Sequence, residues 1–284
     1  SAVKHPHAIN PDPRLRVVAT LRRWPAHHFD VPSAVPKLGG IEPQRAIQML
    51  AQPELFPWIR LDVDGVSNIP AEGPAIIVAN HRSYLDPLAV GFALGRADRP
   101  VRFLGKKEVF DAPVVGQVVS ALGGIRVDRG SGSDEPLAAA ADALAAGEVV
   151  AIMPQGTIPR GMAFFEPELK GRWGAAKLAG LTGAPIIPIG LWGTEKAWPR
   201  NAKTPNLLAI GHPPTIRIRV GPPVELKGRS LDADTKRIMT AIMDLLPEEA
   251  RVRHEPTPEE LRRSLPAGYR GDIYAEDDRR PGSD

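Results

Sequence analysis

Ala75-Ile76-Ile77-Val78-Ala79-Asn80-His81-Arg82-Ser83-Tyr84-Leu85-Asp86 is the stretch on which the fold is decided. Five consecutive apolar residues, between Pro74 and Asn80, read as a strand. The polar turn that follows runs directly into the apolar periodicity of Leu85–Leu94, which predicts a helix. His81 therefore sits where a strand ends and a helix begins, and strand ends are where α/β sheets usually bind ligands.

Outward from this unit the same alternation recurs. Strands are expected at Ile59–Val63, Val101–Leu104, Ile125–Val127, Val149–Met153, Ile186–Leu191 and Thr215–Val220. Helices are expected at Val114–Leu122, Glu135–Ala146, stopped by Gly147, and Trp173–Leu181. The pattern predicts an α/β domain over residues 61–225, with a mixed or largely parallel sheet flanked by helices. Residues 1–60 read as a basic, Pro-rich arm holding one helix at Pro43–Ala51. Residues 226–284 read as an amphipathic helix, Asp232–Leu246, and a tail of mixed charge in which Pro258–Ser264 is a short helix.

Composition narrows the classes. The 284 residues are 43% hydrophobic and 24% charged, an ordinary globular balance, with a net charge of +3. No cysteine occurs, which excludes disulfides, a thiolate nucleophile and thiolate zinc sites, and suits a reducing compartment. The uncharged run Leu178–Thr194 is too short to span a bilayer and contains Pro185 and Pro188. Arg14, Arg16, Arg22 and Arg23 interrupt the region where a signal peptide would need its apolar core, so the expected location is the cytoplasm or the membrane face that borders it. The same cations, with Lys4, suit either contact with anionic lipid or a solvated arm. Aromatics are sparse and no basic stripe recurs, which argues against nucleic acid as a partner.

The His81 to Asp86 spacing suits general-base chemistry. A carboxylate on one imidazole nitrogen fixes the tautomer and stabilises the imidazolium, and the other nitrogen takes a proton from a hydroxyl. Spacing alone is weak evidence, because His7 and Asp12 have it too; that pair has no strand before it and no helix after it. No Gly-x-Ser-x-Gly elbow and no pair of histidines at helical i, i+4 spacing occurs, which argues against a serine hydrolase or a zinc protease.

With Asn80-His81-x4-Asp86 in place, three further blocks follow in order: Gly123-Gly124-Ile125-Arg126-Val127-Asp128-Arg129, Met153-Pro154-Gln155-Gly156-Thr157-Ile158-Pro159-Arg160-Gly161 and Ala184-Pro185-Ile186-Ile187-Pro188-Ile189. Together with Arg102–Phe110 and Arg219–Pro223, they make residues 62 to 225 resemble the lysophosphatidic acid acyltransferase family of glycerolipid acyltransferases.

The resemblance implies His81 and Asp86 as catalytic residues. It implies Arg129 as a phosphate contact and Gln155, Gly156 and Thr157 as part of the acceptor site. The third block departs from the family pattern: Gln155 stands for the usual glutamate and Ile158 for the usual arginine. Gln155 keeps a carbonyl that can accept from a substrate hydroxyl or a backbone group. Phosphate binding then falls to Arg129, Arg160, Lys106 and Lys170. The implied substrates are an acyl thioester, on coenzyme A or an acyl carrier protein, and a lysophospholipid presented at a membrane surface, with no metal or other cofactor. The acceptor is open between 1-acylglycerol 3-phosphate, glycerol 3-phosphate and a glycolipid hydroxyl. A catalytically silent lipid-binding protein is the competing reading from another class.

Overall fold

A computed structural model describes residues 56–106, 124–127 and 135–274. They fall in one compact unit, Pro36–Asp284. The helices expected at Pro43–Ala51 and Val114–Leu122 lie outside the described residues.

Among the described residues, seven strands form one sheet. They are β1 (Arg60–Asp64), β2 (Ala75–Ala79), β3 (Val101–Lys106), β4 (Ile125–Val127), β5 (Val149–Ile152), β6 (Ile186–Trp192) and β7 (Thr215–Val220), in the order β1-β7-β6-β2-β5-β3-β4. Every neighbouring pair is parallel except β6 with β7, so β1 and β7 run against the other five. The sheet is thus largely parallel, as expected. The first strand starts one residue later than the apolar pattern suggests, because its register begins where Arg60 faces Thr215.

The helices are α1 (Asp86–Arg96), α2 (Glu135–Ala145), α3 (Gly174–Thr182), α4 (Thr194–Ala197), α5 (Leu231–Asp244), α6 (Glu248–Arg251) and α7 (Pro258–Ser264). They cover the two faces of the sheet unequally. Ala75, Ile77 and Ala79 of β2 join Ile187, Ile189 and Leu191 of β6 under α1, whose Ala89, Val90 and Ala93 are buried there. Ile76 and Val78 face the other way, against Ala143 and Leu144 of α2, Leu178 of α3 and Ile238 and Ile242 of α5. All five residues of β2 are buried, the physical meaning of its unbroken apolar run.

Strand order sets the surroundings of Pro188. It lies in β6, inside the sheet between β2 and β7, and not on an edge strand. Its carbonyl accepts from Gly221, just past the end of β7, so its missing N–H falls where the β7 ladder has already ended. Gly190 in the same strand is a close approach: a Cβ there would lie 2.7 Å from Leu245 Cβ.

The C-terminal helix α7 has a full capping box between Thr257 and Glu260. It docks through buried Leu261 and Ser264, whose hydroxyl accepts from the Gly161 N–H at 3.0 Å. Among the described residues, no helix is long and apolar enough to cross a membrane.

Candidate active site

At the end of β2 the chain leaves the ladder, and Asn80 closes it with a side chain. Its amide donates to the Leu191 carbonyl at 2.8 Å and its side-chain oxygen accepts from the Leu191 N–H at 2.7 Å. The buried carboxamide thus stands in for the next rung between β2 and β6, which frees residues 81–85 to turn outward.

That turn wraps around Asp86, the first residue of α1, which is 0% exposed. Its Oδ2 accepts from the Arg82 N–H at 2.6 Å and the Ser83 N–H at 2.7 Å, and lies 2.8 Å from His81 Nδ1. Its Oδ1 accepts from the Thr194 hydroxyl at 2.5 Å. A carboxylate at a helix N-terminus is also favoured by the helix dipole. Held this way, Asp86 is an acceptor toward Nδ1, so the imidazole carries its proton there and keeps the lone pair on Nε2. The His81 side chain is 20% exposed beside a fully buried partner, so the ring reaches solvent while its anchor does not.

The loop after β5 completes the frame. Gln155 Oε1 accepts from the His81 backbone N–H at 2.6 Å. Of the two partners open to the Gln155 carbonyl, a substrate hydroxyl and a backbone group, it meets the backbone N–H that carries the histidine. Gly156, at φ +70°, makes the turn that brings it there. Ile158 is buried, which explains how an apolar residue is accommodated at that place in the block. Arg200 holds the carbonyls of Ile158 at 2.5 Å and Pro159 at 3.0 Å.

Arg82 closes one side of the site. Its guanidinium carbon lies 4.1 Å from the centre of the Phe164 ring and 4.4 Å from that of Trp192, with Nε 3.4 Å from Glu195 Oε1. Stacking between two aromatic faces suits the weakly hydrated guanidinium. Phe164 and Trp192 are thus partners of a cation.

Thr157 and Arg160 are half-buried in the same loop, and Arg160 precedes the short 3-10 turn Gly161–Phe164. Lys106 ends β3, which runs parallel through β5 to β2, so its backbone lies at the same edge of the sheet as His81. Lys170 is exposed in the segment before α3. Arg129 lies outside the described residues.

Thr194, Arg82 and Arg200 carry contacts that sequence reasoning missed. Gly193 was the available signal for Thr194: it sits at φ +91°, and a Cβ there would come within 2.4 Å of the Thr215 carbonyl oxygen, so only glycine turns the chain from β6 into α4.

Fold and site together define an α/β protein with an imidazole held by a buried carboxylate at the C-terminal edge of its parallel strands, arranged to accept a proton. The Acyltransferase family model matches residues 60–192. An uncharacterized protein of Mycobacterium tuberculosis is 35% identical over 153 residues, 50% of this chain and 40% of its own length. A chloroplastic 1-acyl-sn-glycerol-3-phosphate acyltransferase of Brassica napus is 30% identical over 160 residues, 55% of this chain and 44% of its own length. A solved structure, the 1-acyl-sn-glycerophosphate acyltransferase PlsC of Thermotoga maritima, is 22% identical, with a TM-score of 0.49, covering 71% of this chain and 77% of that one. Over residues 60–192 this chain is thus similar to the acyltransferase family. Its match spans less than half the length of the first two relatives.

Proposed function

We propose that the protein transfers a fatty acyl group from an acyl thioester, acyl-CoA or acyl carrier protein, to the free hydroxyl of 1-acylglycerol 3-phosphate, giving phosphatidic acid. The observation that carries this reading is the His81–Asp86 pair: a buried carboxylate fully engaged at Nδ1 and a ring open to solvent.

His81 Nε2 takes the hydroxyl proton as the acceptor oxygen attacks the thioester carbonyl carbon. The carbonyl π pair moves onto oxygen, giving a tetrahedral oxyanion. Its collapse restores the carbonyl, breaks the C–S bond and expels a thiolate, which takes the proton from His81. Asp86 stabilises the imidazolium between the two transfers and does not itself become protonated. The acceptor is an alcohol, so no enzyme nucleophile is needed and no acyl-enzyme forms. In this reading Arg129 and Arg160, with Lys106 and Lys170, neutralise the acceptor phosphate, while Thr157 and Gly156 shape the acceptor side.

The test is thiol release from palmitoyl-CoA by the full chain, with and without lysophosphatidic acid, wild type beside His81→Ala. Release that requires both the acceptor and His81 supports the reading. Release that persists in His81→Ala removes the base from the scheme. No release with lysophosphatidic acid, glycerol 3-phosphate or a glycolipid acceptor moves the protein to the lipid-binding class.

A further inference from the structure

The connection from β6 to β7 carries an exposed apolar tip. Leu207 is 53% exposed, Leu208 90% and Ile210 61%, all within the turn Asn206-Leu207-Leu208-Ala209-Ile210-Gly211. A leucine with nine-tenths of its surface in water must stand at a protrusion, and three exposed large apolar residues within four positions are not the scattered surface apolars of ordinary proteins.

The tip is fastened to the catalytic edge. Because β6 and β2 are parallel and β7 runs back, the 193–214 connection leaves the sheet at the edge where β2 delivers His81. Its base is bonded to the catalytic turn twice, by Thr194 to Asp86 and by the Ser83 hydroxyl to the Trp198 carbonyl at 2.7 Å. The Asn206 N–H then donates to the Ala197 carbonyl at 2.9 Å, tying the tip to that base. Tyr84, 47% exposed on the catalytic turn, lies against Trp198 with ring centres 5.7 Å apart. Such amphipathic aromatics are at home where hydrocarbon meets headgroups.

Charge selects the occupant. From Lys196 to Val224 the chain has no acidic residue, and Lys196 and Lys203 are exposed in the same connection as the tip. Exposed apolar side chains on a connection that carries lysines and no acid complement an anionic lipid leaflet, whose hydrocarbon takes the leucines and whose headgroups take the lysines. Three side chains cannot supply the ~800 Å² per partner of a standard protein interface.

We propose that Leu207, Leu208 and Ile210 insert into an anionic lipid surface, with Lys196 and Lys203 on its headgroups, and so dock the catalytic edge on the bilayer. The proposal deepens the acyl-transfer reading, which makes the acceptor a lipid, but its measurement does not depend on transfer.

The experiment is co-sedimentation of the full chain with vesicles of phosphatidylcholine, alone or mixed with phosphatidylglycerol. Leu207→Ser/Leu208→Ser/Ile210→Ser is compared with Leu181→Ser/Leu231→Ser, two exposed leucines at the opposite edge of the sheet. The expected result is a fall of about tenfold or more in partitioning for the tip variant and little change for the control, with equal melting temperatures. Lys196→Gln/Lys203→Gln should weaken binding to the mixed vesicles and leave binding to phosphatidylcholine alone unchanged. Equal binding by wild type and tip variant, no vesicle binding by wild type, or a wild-type dimer that the tip variant loses would each overturn the proposal. Vesicle binding through the tip in a protein that releases no thiol with any acceptor would leave the docking surface standing and remove the transfer reading.

Discussion

Asp86→Asn isolates the charge of the carboxylate from its architecture. Three N–H donors, from the His81 ring, Arg82 and Ser83, converge on Oδ2, while Oδ1 meets a hydroxyl that can turn around. An asparagine must therefore place its oxygen toward the three donors and its NH2 toward Thr194. The imidazole keeps its orientation and tautomer, and what is lost is the negative charge beside the developing imidazolium. At a separation of ~4 Å and an effective dielectric constant of ~20, that charge pair is worth about 4 kcal/mol. Since each 1.36 kcal/mol is tenfold, kcat should fall by about a thousandfold. This is less than the ~10⁴-fold known where the same exchange also reverses the tautomer. Stability should fall by only about 1 to 3 kcal/mol, for the Thr194 contact. Asp86→Ala orphans two buried backbone N–H groups and should cost about 2 to 6 kcal/mol. The assay is thiol release at saturating substrates, with thermal melting on the same samples. Near wild-type kcat in Asp86→Asn would refute the idea that His81 passes through a charge-stabilised imidazolium.

Gln155→Leu leaves the His81 N–H without its acceptor and should lower stability by about 1 to 3 kcal/mol, with kcat falling more than KM changes; Gln155→Glu keeps the acceptor and should restore both. Thr194→Val removes the hydroxyl on Asp86 Oδ1 and should cost about 1 to 3 kcal/mol in a denaturant titration, with a smaller loss of kcat than Asp86→Asn. Gly193→Ala forces a Cβ to within 2.4 Å of the Thr215 carbonyl oxygen at a positive φ, so a melting temperature several degrees lower is expected. On the surface, the Arg219 guanidinium hydrogen-bonds Asp62 at 2.6 Å and holds its carboxyl below the usual aspartate range. A lowered folded-state pKa stabilises the fold above the usual aspartate range, and that contribution is lost as pH falls through the lowered value. Asp62→Asn should cost at most about 1 kcal/mol at neutral pH, and its melting curve should converge with the wild type's in acid.

What the sequence determined by itself is local. Unbroken apolarity over Ala75–Ala79 dictates a strand, and the change to helical period at Leu85 places His81 at its end. The His81–Asp86 pair was legible for the same reason: five residues across a strand-to-helix turn bring the side chains together whatever the rest of the chain does. Strand order is not local. Nothing in the apolar runs says that β7 inserts between β1 and β6 and runs against β6, or that Pro188 lies inside the sheet. Yet that order brings Thr194 to Asp86 across 108 positions, Gln155 to the His81 N–H across 74, and Phe164 and Trp192 to the two faces of Arg82. A short-range pattern reports which way a backbone segment faces. Which distant donor meets a buried carboxylate is decided only when the strands carrying both are hydrogen-bonded into one sheet.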